Sequence, residues 1–564
     1  MQMLKRTAAL LAATALCCTL LAGCTRDSDG LSLSAAVGSA PQTLDPIYAE
    51  TVSEQTVLVH LYENLMRLSV DANGTTSAVS GMAKSVDSET NVDGTVTYTF
   101  RLRSAKWSDG RAVKAADFVY AWRRLIDPAN ESPHASLLQV VCGYEEARES
   151  GDLSLLQVSA KNDATLVVVL NGNYDWFLRD VCTAPATMPL REDVVGEVPG
   201  ENTGEDDAQS ASSQTEQAPW WSDPTALVVN GPYLVTDWQE GTALTAAASE
   251  KYYNHSKHNG PAAIRFCFTG TAEEAEALYD SGEADVLWPL TQEALTALAA
   301  DEAWTAIPTL STGALVFNCA YGPFQDQSIR QAVVKAIDRN ALAAAAGVTA
   351  SAAEGLVPRG VPENEEGDFR ARGGAIIDND PQLYAQNCLD AQEMLAAAGY
   401  ESGAELGELE YLYVDEGNGG VVASELCRQL RTAIGMQLTP VPVSAKEMEV
   451  ALQNGGFTMA GVELMAECND AESFLMDWIS DSEHNVARYE NSAYDTLMSI
   501  IATAADGTAR MGCLHDAEDL LLSDAALTPL FQEGTAWKLR ENLVGALRDP
   551  RGWFSFSGVV TRTV

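Results

Sequence analysis

Hydrophobic and polar residues alternate along one stretch of the chain and then change their spacing. Val96 to Leu102 alternates apolar with polar residues, a period of two that predicts a half-buried strand. Ser108 to Gly110 supplies turn residues. From Ala115 the apolar residues recur at helical spacing until Pro128. The pattern predicts a strand, a turn and a helix that fold as one unit.

The same two spacings predict further strands and helices along the chain. The predicted strands are 31–37, 165–170, 312–318, 409–414 and 437–443, and the predicted helices are 53–65, 136–149, 273–281, 421–434, 492–505 and 510–522. One helix lies between the last two strands. Because a helical crossover of this kind joins parallel strands, the order predicts a β-α-β unit and an α/β fold.

Residues 192–217 interrupt this pattern with a polar segment. They contain eight acidic residues, no Lys or Arg and few apolar side chains. Such a composition cannot bury enough apolar surface to order the segment. We therefore expect a disordered surface insertion, with cation binding as the alternative.

Length and charge narrow the possible functions. The chain has 564 residues, enough for two or three domains with sizeable cores. Its 79 acidic and 35 basic residues give a formal net charge of −44. A surface of this sign repels the phosphates of nucleic acids, so we expect no nucleic-acid partner.

The first residues have the features of a targeting segment. Lys5 and Arg6 precede a short apolar stretch, and Leu21-Ala22-Gly23-Cys24 follows it. This last run resembles the bacterial lipobox, in which the Cys thiol is lipidated and becomes the mature N-terminus. We expect a signal peptide at 1–23, lipidation of Cys24 and a polar tether at 24–30. The alternative is an ordinary signal peptide with an incidental Cys.

Motifs for catalysis and for cofactors are missing from the sequence. It contains no P-loop, no GxGxxG after a strand, no HExxH and no GxSxG. The eight cysteines after Cys24 are scattered singly, without a CxxC pair. His255 and His258 have no evident third ligand for a metal. We expect a protein that is not an enzyme and that binds no metal or cofactor.

Several motifs together resemble one protein family. The stretch YTFRLRSAKWSDG that begins at Tyr98 is the first, and others recur in order along almost all of the mature chain. These others are PQTLDP (41–46), NGPYLVTDW (230–238), PFQDQSIRQAVVKAIDR (323–339) and DAALTPLF (524–531). They resemble extracytoplasmic solute-binding proteins of the oligopeptide/dipeptide-binding family, the family 5 substrate-binding lipoproteins of ABC transporters. The resemblance implies a two-lobed periplasmic-binding-protein-like fold (type II, cluster C) with three domains around a ligand cleft.

The resemblance also implies domain boundaries. Domain I would be discontinuous, formed by 31–62, 188–312 and 532–564. Domain II would comprise 63–187 and domain III 313–531.

The segment from Phe457 to Leu475 is similar to the family's GWxADYxDPxxFL strand. In this register Glu467 takes the position of the family's acid, which holds the α-ammonium of a bound peptide. Leu464 takes the position of the family's Trp, a departure that admits a different solute. The alternative is that Glu463 and Glu467 are solvated surface acids.

The remaining predicted ligand contacts lie on two segments. Val462 and Leu464 would pair with the peptide through their main chain, and Met465 lies on the same strand. Glu50 and Thr51 follow the LDP motif, where the family has a loop that lines the cleft. The alternative for Glu50 and Thr51 is an ordinary connecting loop.

The function implied by the resemblance is capture of short oligopeptides for an ABC importer. The expected partners are a peptide ligand, a transporter permease and the membrane, through the lipid anchor. The protein would act as a monomer at the extracytoplasmic face of the bacterial cell envelope. The alternatives are another solute, such as a nickel chelate or a sugar, and a surface peptide sensor or adhesin without transport.

Overall fold

A computed structural model describes residues 30–70, 76–196, 219–301, 304–363, 367–504 and 507–562. The expected signal peptide 1–23, the lipidation site Cys24 and most of the tether 24–30 lie outside the described residues, as does most of the polar segment 192–217. The described start of that segment differs from the prediction of disorder. Glu192–Val195 is a short α-helix, and Asp193 forms ion pairs with Arg111 and Arg191.

The first large sheet has six strands around a buried central strand. In spatial order the strands are Lys538–Leu539, Val286–Leu287, Ser32–Ala36, Ala263–Cys267, Ala243–Ala248 and Tyr233–Gln239. Ser32–Ala36 is parallel to both of its neighbours, and the other pairs are antiparallel. The helices near this sheet in sequence are Val52–Leu61, Ala272–Ser281 and Gln292–Ala299.

The second sheet has four antiparallel strands and contains the strand–turn–helix unit. Its strands in spatial order are Ala83–Thr90, Val96–Leu102, Thr165–Leu170 and Val158–Asn162. The helix Ala115–Ile126 buries Phe118, Trp122 and Leu125. The predicted strand and helix are therefore confirmed. A hairpin of Met66–Val70 and Thr76–Ser80 precedes this sheet.

The helix predicted at 136–149 is wrong in its extent. The structure has a 3-10 helix at Ala135–Leu138 and an α-helix only at Tyr144–Ser150. Gly143 separates them with φ of 81°. A Cβ on Gly143 would lie 2.0 Å from the carbonyl oxygen of Leu155, so this position requires glycine in a left-handed conformation and a continuous helix cannot pass through it.

The third sheet has six strands, with antiparallel and parallel pairs. In spatial order the strands are Ser351–Ala352, Leu527–Thr535, Ile307–Phe317, Met459–Met465, Glu408–Val414 and Gln437–Val443. Its helices are Gln327–Lys335, Arg339–Ala346, Phe369–Gly373, Tyr384–Ala397, Gly419–Ile434, Ala445–Asn454, Glu472–Leu475, Ser492–Thr503 and Gly507–Ser523. Glu408–Val414 and Gln437–Val443 are parallel, which confirms the predicted β-α-β crossover.

Hydrophobic cores divide the molecule into two lobes. The first and second sheets share one core, and we call this part the first lobe. The third sheet has separate cores that contain residues of its strands and helices, and we call this part the second lobe. The α/β fold class with two lobes is confirmed.

Two short strand pairs lie near the C-terminus, Leu543–Val544 with Val560–Thr561 and Leu547–Arg548 with Phe554–Ser555.

The lobes are joined where two strands of the second lobe lie side by side. Ile307–Phe317 begins directly after the first lobe, and its Ile307 pairs with Thr535 at the end of Leu527–Thr535. The chain then returns to the first sheet at Lys538–Leu539. The two crossovers between the lobes are therefore adjacent.

Candidate functional site

The strand Met459–Met465, which we call the groove strand, has one edge that is only partly paired. On one side it pairs with Ile307–Phe317 along its whole length. On the other side it pairs with Glu408–Val414 only at Met459 and Ala460. Beyond that point Glu408–Val414 diverges, while its own pairing with Gln437–Val443 continues to Val414. The groove strand therefore presents an open edge from Gly461 onward, and an open edge is a template for another strand.

The register shows which main-chain groups point away from this edge. The N–H of Ala466 donates to the carbonyl oxygen of Leu310 at 2.9 Å. In an antiparallel pair, alternate residues face the same neighbour. Val462 and Leu464 therefore have their main-chain groups turned toward Ile307–Phe317, where they are already paired.

Glu463 and Met465 are the residues whose main-chain groups face the open edge. The sequence prediction gave this role to Val462 and Leu464, one residue out of register. The alternation of apolar and polar side chains in the sequence shows which face of the sheet each side chain occupies. It does not show which neighbouring strand each main-chain N–H and C=O faces. The side chains of Val462 and Leu464 are half-buried against the core of the second lobe. Met465 is 68% exposed.

A groove of about 830 Å³ lies beside the open edge. It is bounded by the groove strand, by the carboxyl end of Glu408–Val414, by the first residues of Gly419–Ile434 and by one face of Ala445–Asn454. We call it the strand-edge groove. In open α/β sheets, ligands bind at the carboxyl ends of strands where neighbouring connections diverge, which is the position of this groove.

Carboxylates and aromatic rings line the strand-edge groove. Its charged and aromatic side chains are Tyr411, Tyr413, Glu416, Glu449, Glu463, Phe531 and Glu533, and among the described residues that line it there is no Lys or Arg. The Glu463 carboxylate accepts a hydrogen bond from the Ser311 hydroxyl at 2.6 Å. Burial, and then the charge of Glu463, raise the pKa of Glu533 to about 7.

Glu467 lies just past the groove strand, between the lobes. Its two carboxylate oxygens accept from the Ser136 hydroxyl of the first lobe at 2.9 and 2.8 Å. The side chain reaches solvent, yet nearby protein atoms desolvate the carboxyl group and raise the pKa of Glu467, while the Ser136 hydrogen bond opposes this rise. In the part of the chain that the structure describes, no Lys or Arg forms an ion pair with Glu467.

An ion-pair cluster behind Glu467 fixes the segment that carries it. The Arg510 guanidinium contacts Asp470 at 2.8 Å and Glu472 at 2.6 Å, and all three residues are buried. Although burial alone would raise it, Arg510 holds the pKa of Asp470 below its ordinary value. Arg179 of the first lobe donates to the carbonyl oxygen of Asn469 at 2.5 Å. Asp470 and Glu472 are therefore structural acids, whereas Glu467 forms no ion pair with a Lys or Arg of the described residues.

Glu50 and Thr51 lie in a different groove, of about 710 Å³, which Trp220 and Trp221 also line. Thr51 is the N-cap of Val52–Leu61, and its hydroxyl accepts from the N–H of Glu54 at 3.3 Å. The Glu54 carboxylate in turn accepts from the N–H groups of Glu50 and Thr51. This capping box gives Thr51 a structural role that the sequence prediction did not assign.

The structure adds His134 and Ser136 to the candidate site. The ring Nε2 of His134 lies 2.9 Å from the carbonyl oxygen of Ala49, next to Glu50, and Ser136 contacts Glu467. This short segment thus connects the loop after the LDP motif with the second lobe. The contact joins residues 331 positions apart, so no local pattern could have revealed it.

The described residues show neither a membrane-spanning helix nor a metal-binding cluster. None of the helices there combines the length and apolar character needed to span a bilayer. No group of three or more His, Cys, Asp or Glu side chains among them is arranged to hold a metal ion.

Comparisons with known proteins find relatives along most of the chain. A family model of bacterial extracellular solute-binding proteins, family 5 (middle region), matches residues 78–485. The chain is 27% identical over 500 residues to the probable deoxycholate-binding periplasmic protein YgiS of Escherichia coli (strain K12), covering 88% of this chain and 86% of that protein. It is 28% identical over 508 residues to the periplasmic oligopeptide-binding protein OppA of the same strain, with the same coverage.

The solved structure of Haemophilus influenzae OppA in complex with RPPGFSPFR matches the fold with a TM-score of 0.69 at 24% identity. The match covers 95% of this chain and 99% of that one.

Proposed function

The chain belongs to the family 5 bacterial extracellular solute-binding proteins, and we propose that it captures short peptides and delivers them to an ABC importer. The observation that carries this proposal is the open edge of the groove strand at Glu463 and Met465. A peptide that adds to this edge as a strand gains main-chain hydrogen bonds that do not depend on its sequence. Such a site suits a carrier of varied peptides.

Glu467 supplies the anchor for the α-ammonium group in this proposal. An ammonium enclosed without a counter-charge loses several kcal/mol of hydration free energy. A carboxylate offsets this loss through a charge-assisted hydrogen bond. Glu467 suits the role because its carboxylate accepts hydrogen bonds from the neutral Ser136 hydroxyl, and no Lys or Arg of the described residues forms an ion pair with it.

Peptide capture in this proposal includes closure of the two lobes. The adjacent crossovers at Ile307 and Thr535 allow the lobes to rotate about one line, as in hinge closure. A dissociation constant of about 1 μM, or roughly −8 kcal/mol, would hold a peptide and still release it to a permease. The protein would act as a monomer held at the outer face of the membrane by lipid on Cys24.

A non-peptide solute is the second candidate. Leu464 stands where the family pattern has Trp, and one relative carries the name of a probable deoxycholate-binding protein. An apolar solute would contact Met465 and the aromatic rings of the strand-edge groove. It would make no use of the main-chain groups at the open edge.

Calorimetry with the purified full chain tests the proposal. We expect trialanine to bind with a Kd of about 1 μM and N-acetyl-trialanine to bind at least tenfold more weakly. In Glu467→Gln the two ligands should differ less than about twofold, because the charge that distinguishes them is gone. Glu490→Gln, an exposed carboxyl of the same lobe, is the matched control and should behave as wild type.

The outcomes separate the parts of the proposal. Absence of binding by any peptide, together with binding of deoxycholate, would replace the peptide by the second candidate. If acetylation lowered the affinity equally in wild type and in Glu467→Gln, peptide binding would stand and Glu467 would be excluded as the anchor.

A further inference from the structure

The face of the sheet beside the open edge has an unusual composition. Glu463 lies opposite Gly313 on the neighbouring strand, and Gly313 lies opposite Phe531 on the next. A Cβ on Gly313 would lie 2.5 Å from the Phe531 ring, so the ring covers the glycine and extends toward Glu463. The strand-edge groove therefore has an aromatic floor next to a carboxylate.

Glu533 adds a second carboxylate to the same place. Neither Glu463 nor Glu533 forms an ion pair with Lys or Arg in the described ranges of the chain, and Glu533 is half-buried. The effect of Glu463 on the Glu533 carboxyl shows that the two charges interact. Glu533 is half-buried and Glu463 is exposed, and both carboxylates line the strand-edge groove. When both are ionised, the desolvated Glu533 carboxylate destabilises the folded state, and a cation placed near the two offsets that cost.

A bound strand would place one of its side chains at this point. If its α-ammonium lies at Glu467 and its chain follows the open edge, the ligand must run antiparallel to the groove strand. Its first residue then lies opposite Met465 and its third opposite Glu463. Residues opposite one another in an antiparallel pair share a face, with Cβ atoms about 5 Å apart.

The third ligand side chain therefore enters the strand-edge groove, while the second points to the other face of the sheet. A Lys or Arg at the third position would lie beside Glu463 and extend across it toward Glu533 on Leu527–Thr535, in a groove that Phe531 and Tyr411 also line. Both contacts favour a cation, the first by charge and the second by the negative face of the aromatic ring.

We propose that Glu463 and Glu533 are specificity determinants that select peptides with a cationic side chain, Lys or Arg, at the third residue. This inference rests on the proposed function. It adds a preference that strand addition alone does not give, because main-chain pairing accepts any side chain.

The test compares tetrapeptides that differ only at the third position. Calorimetry with the full chain would measure Ala-Ala-Lys-Ala, the same peptide with norleucine, which has a chain of similar length without charge, and Ala-Ala-Glu-Ala. We expect Lys to bind about tenfold more tightly than norleucine, and Glu to bind most weakly. Moving Lys to the second position should remove the preference, because that side chain lies on the other face of the sheet.

Variants assign the preference to the two carboxylates. In Glu463→Gln and in Glu533→Gln, the ratio of norleucine to Lys dissociation constants should fall below about three. Glu393→Gln, an exposed carboxyl on a helix of the same lobe, should keep the tenfold ratio. Equal affinity for Lys and norleucine in wild type would overturn the inference while leaving peptide capture intact. Failure of every tetrapeptide and of trialanine to bind would overturn both.

Discussion

At the scale of single residues, Glu533 makes the folded state sensitive to pH. Burial and Glu463 raise the pKa of its carboxyl group from 4.5 to about 7. Between these values the folded protein keeps a proton that the unfolded chain has released. The folded state therefore binds more protons, and the free energy of unfolding falls as the pH rises through this window. Above the folded-state pKa of about 7 the carboxyl is ionised in both states, so the free energy of unfolding falls no further on its account.

Glu533→Gln removes this charge, so we predict that it stabilises the protein in a pH-dependent way. At pH 8 the free energy of unfolding should rise by about 1–2 kcal/mol, less than the full pKa shift implies because the group is partly exposed. At pH 4, below both pKa values, the change should be close to zero. Urea unfolding of both proteins at the two pH values measures it. An equal effect at both pH values would show that the stabilisation has another origin than the charge.

Residues also differ in how far their roles could be predicted from the sequence. The spacing of Thr51 and Glu54 is that of a capping box, so the structural role of Thr51 was open to prediction from local sequence. The contact of Glu467 with Ser136 was not, because it depends on how the two lobes meet. The same limit applies to Glu463. It lines the same groove as Glu533 only because Ile307–Phe317 lies between their two strands in the sheet.

At the scale of elements, the two edges of the groove strand have different roles. We expect a substitution at the open edge to affect ligand binding, and one at the paired edge to affect stability. The N–H of Met465 faces the open edge, whereas the N–H of Leu464 faces the neighbouring strand. Proline removes an N–H, so its effect depends on which of these two positions it occupies. Adjacent residues of one strand thus offer a matched pair of variants.

We predict opposite results for these two proline variants. Leu464→Pro breaks a hydrogen bond within the sheet and should lower the free energy of unfolding by about 1–3 kcal/mol. Met465→Pro leaves the sheet bonds in place, so it should keep most of the stability and lose at least tenfold in affinity for trialanine. Thermal unfolding and calorimetry on the same samples compare the two. If Met465→Pro bound trialanine like wild type, strand addition at this edge would be excluded.

Elements were predictable where local pattern and tertiary surroundings agree. Val96–Leu102 and Ala115–Ile126 alternate or repeat with clear periods and end at turn residues, and the structure has them at those bounds. The helix expected at 136–149 failed because Gly143 approaches the backbone of Leu155, a contact that no local pattern reveals. The edge of the groove strand was assigned one residue out of register for a similar reason, since main-chain direction depends on the neighbouring strand.

At the scale of the whole molecule, the candidate site depends on both lobes. The groove strand belongs to the second lobe, and Ser136, which contacts Glu467, belongs to the first. The segment after the groove strand is tied to the first lobe by Arg179 and to its own lobe by Arg510. The Glu467 carboxylate, which we propose as the anchor, therefore lies where the two lobes meet, and an ammonium bound to it would contact both.

This placement predicts that a captured peptide closes the molecule and stabilises it. With trialanine at 100 times its Kd, the free energy of unfolding should rise by about 2.7 kcal/mol, because the ligand binds only the folded state. The radius of gyration measured by small-angle X-ray scattering should fall on the same addition, since rotation about the adjacent crossovers brings the lobes together. Met465→Pro, measured at the same peptide concentration, should show neither change. Stabilisation of wild type without a smaller radius would mean that capture needs no hinge motion, and the crossovers at Ile307 and Thr535 would then only connect the lobes.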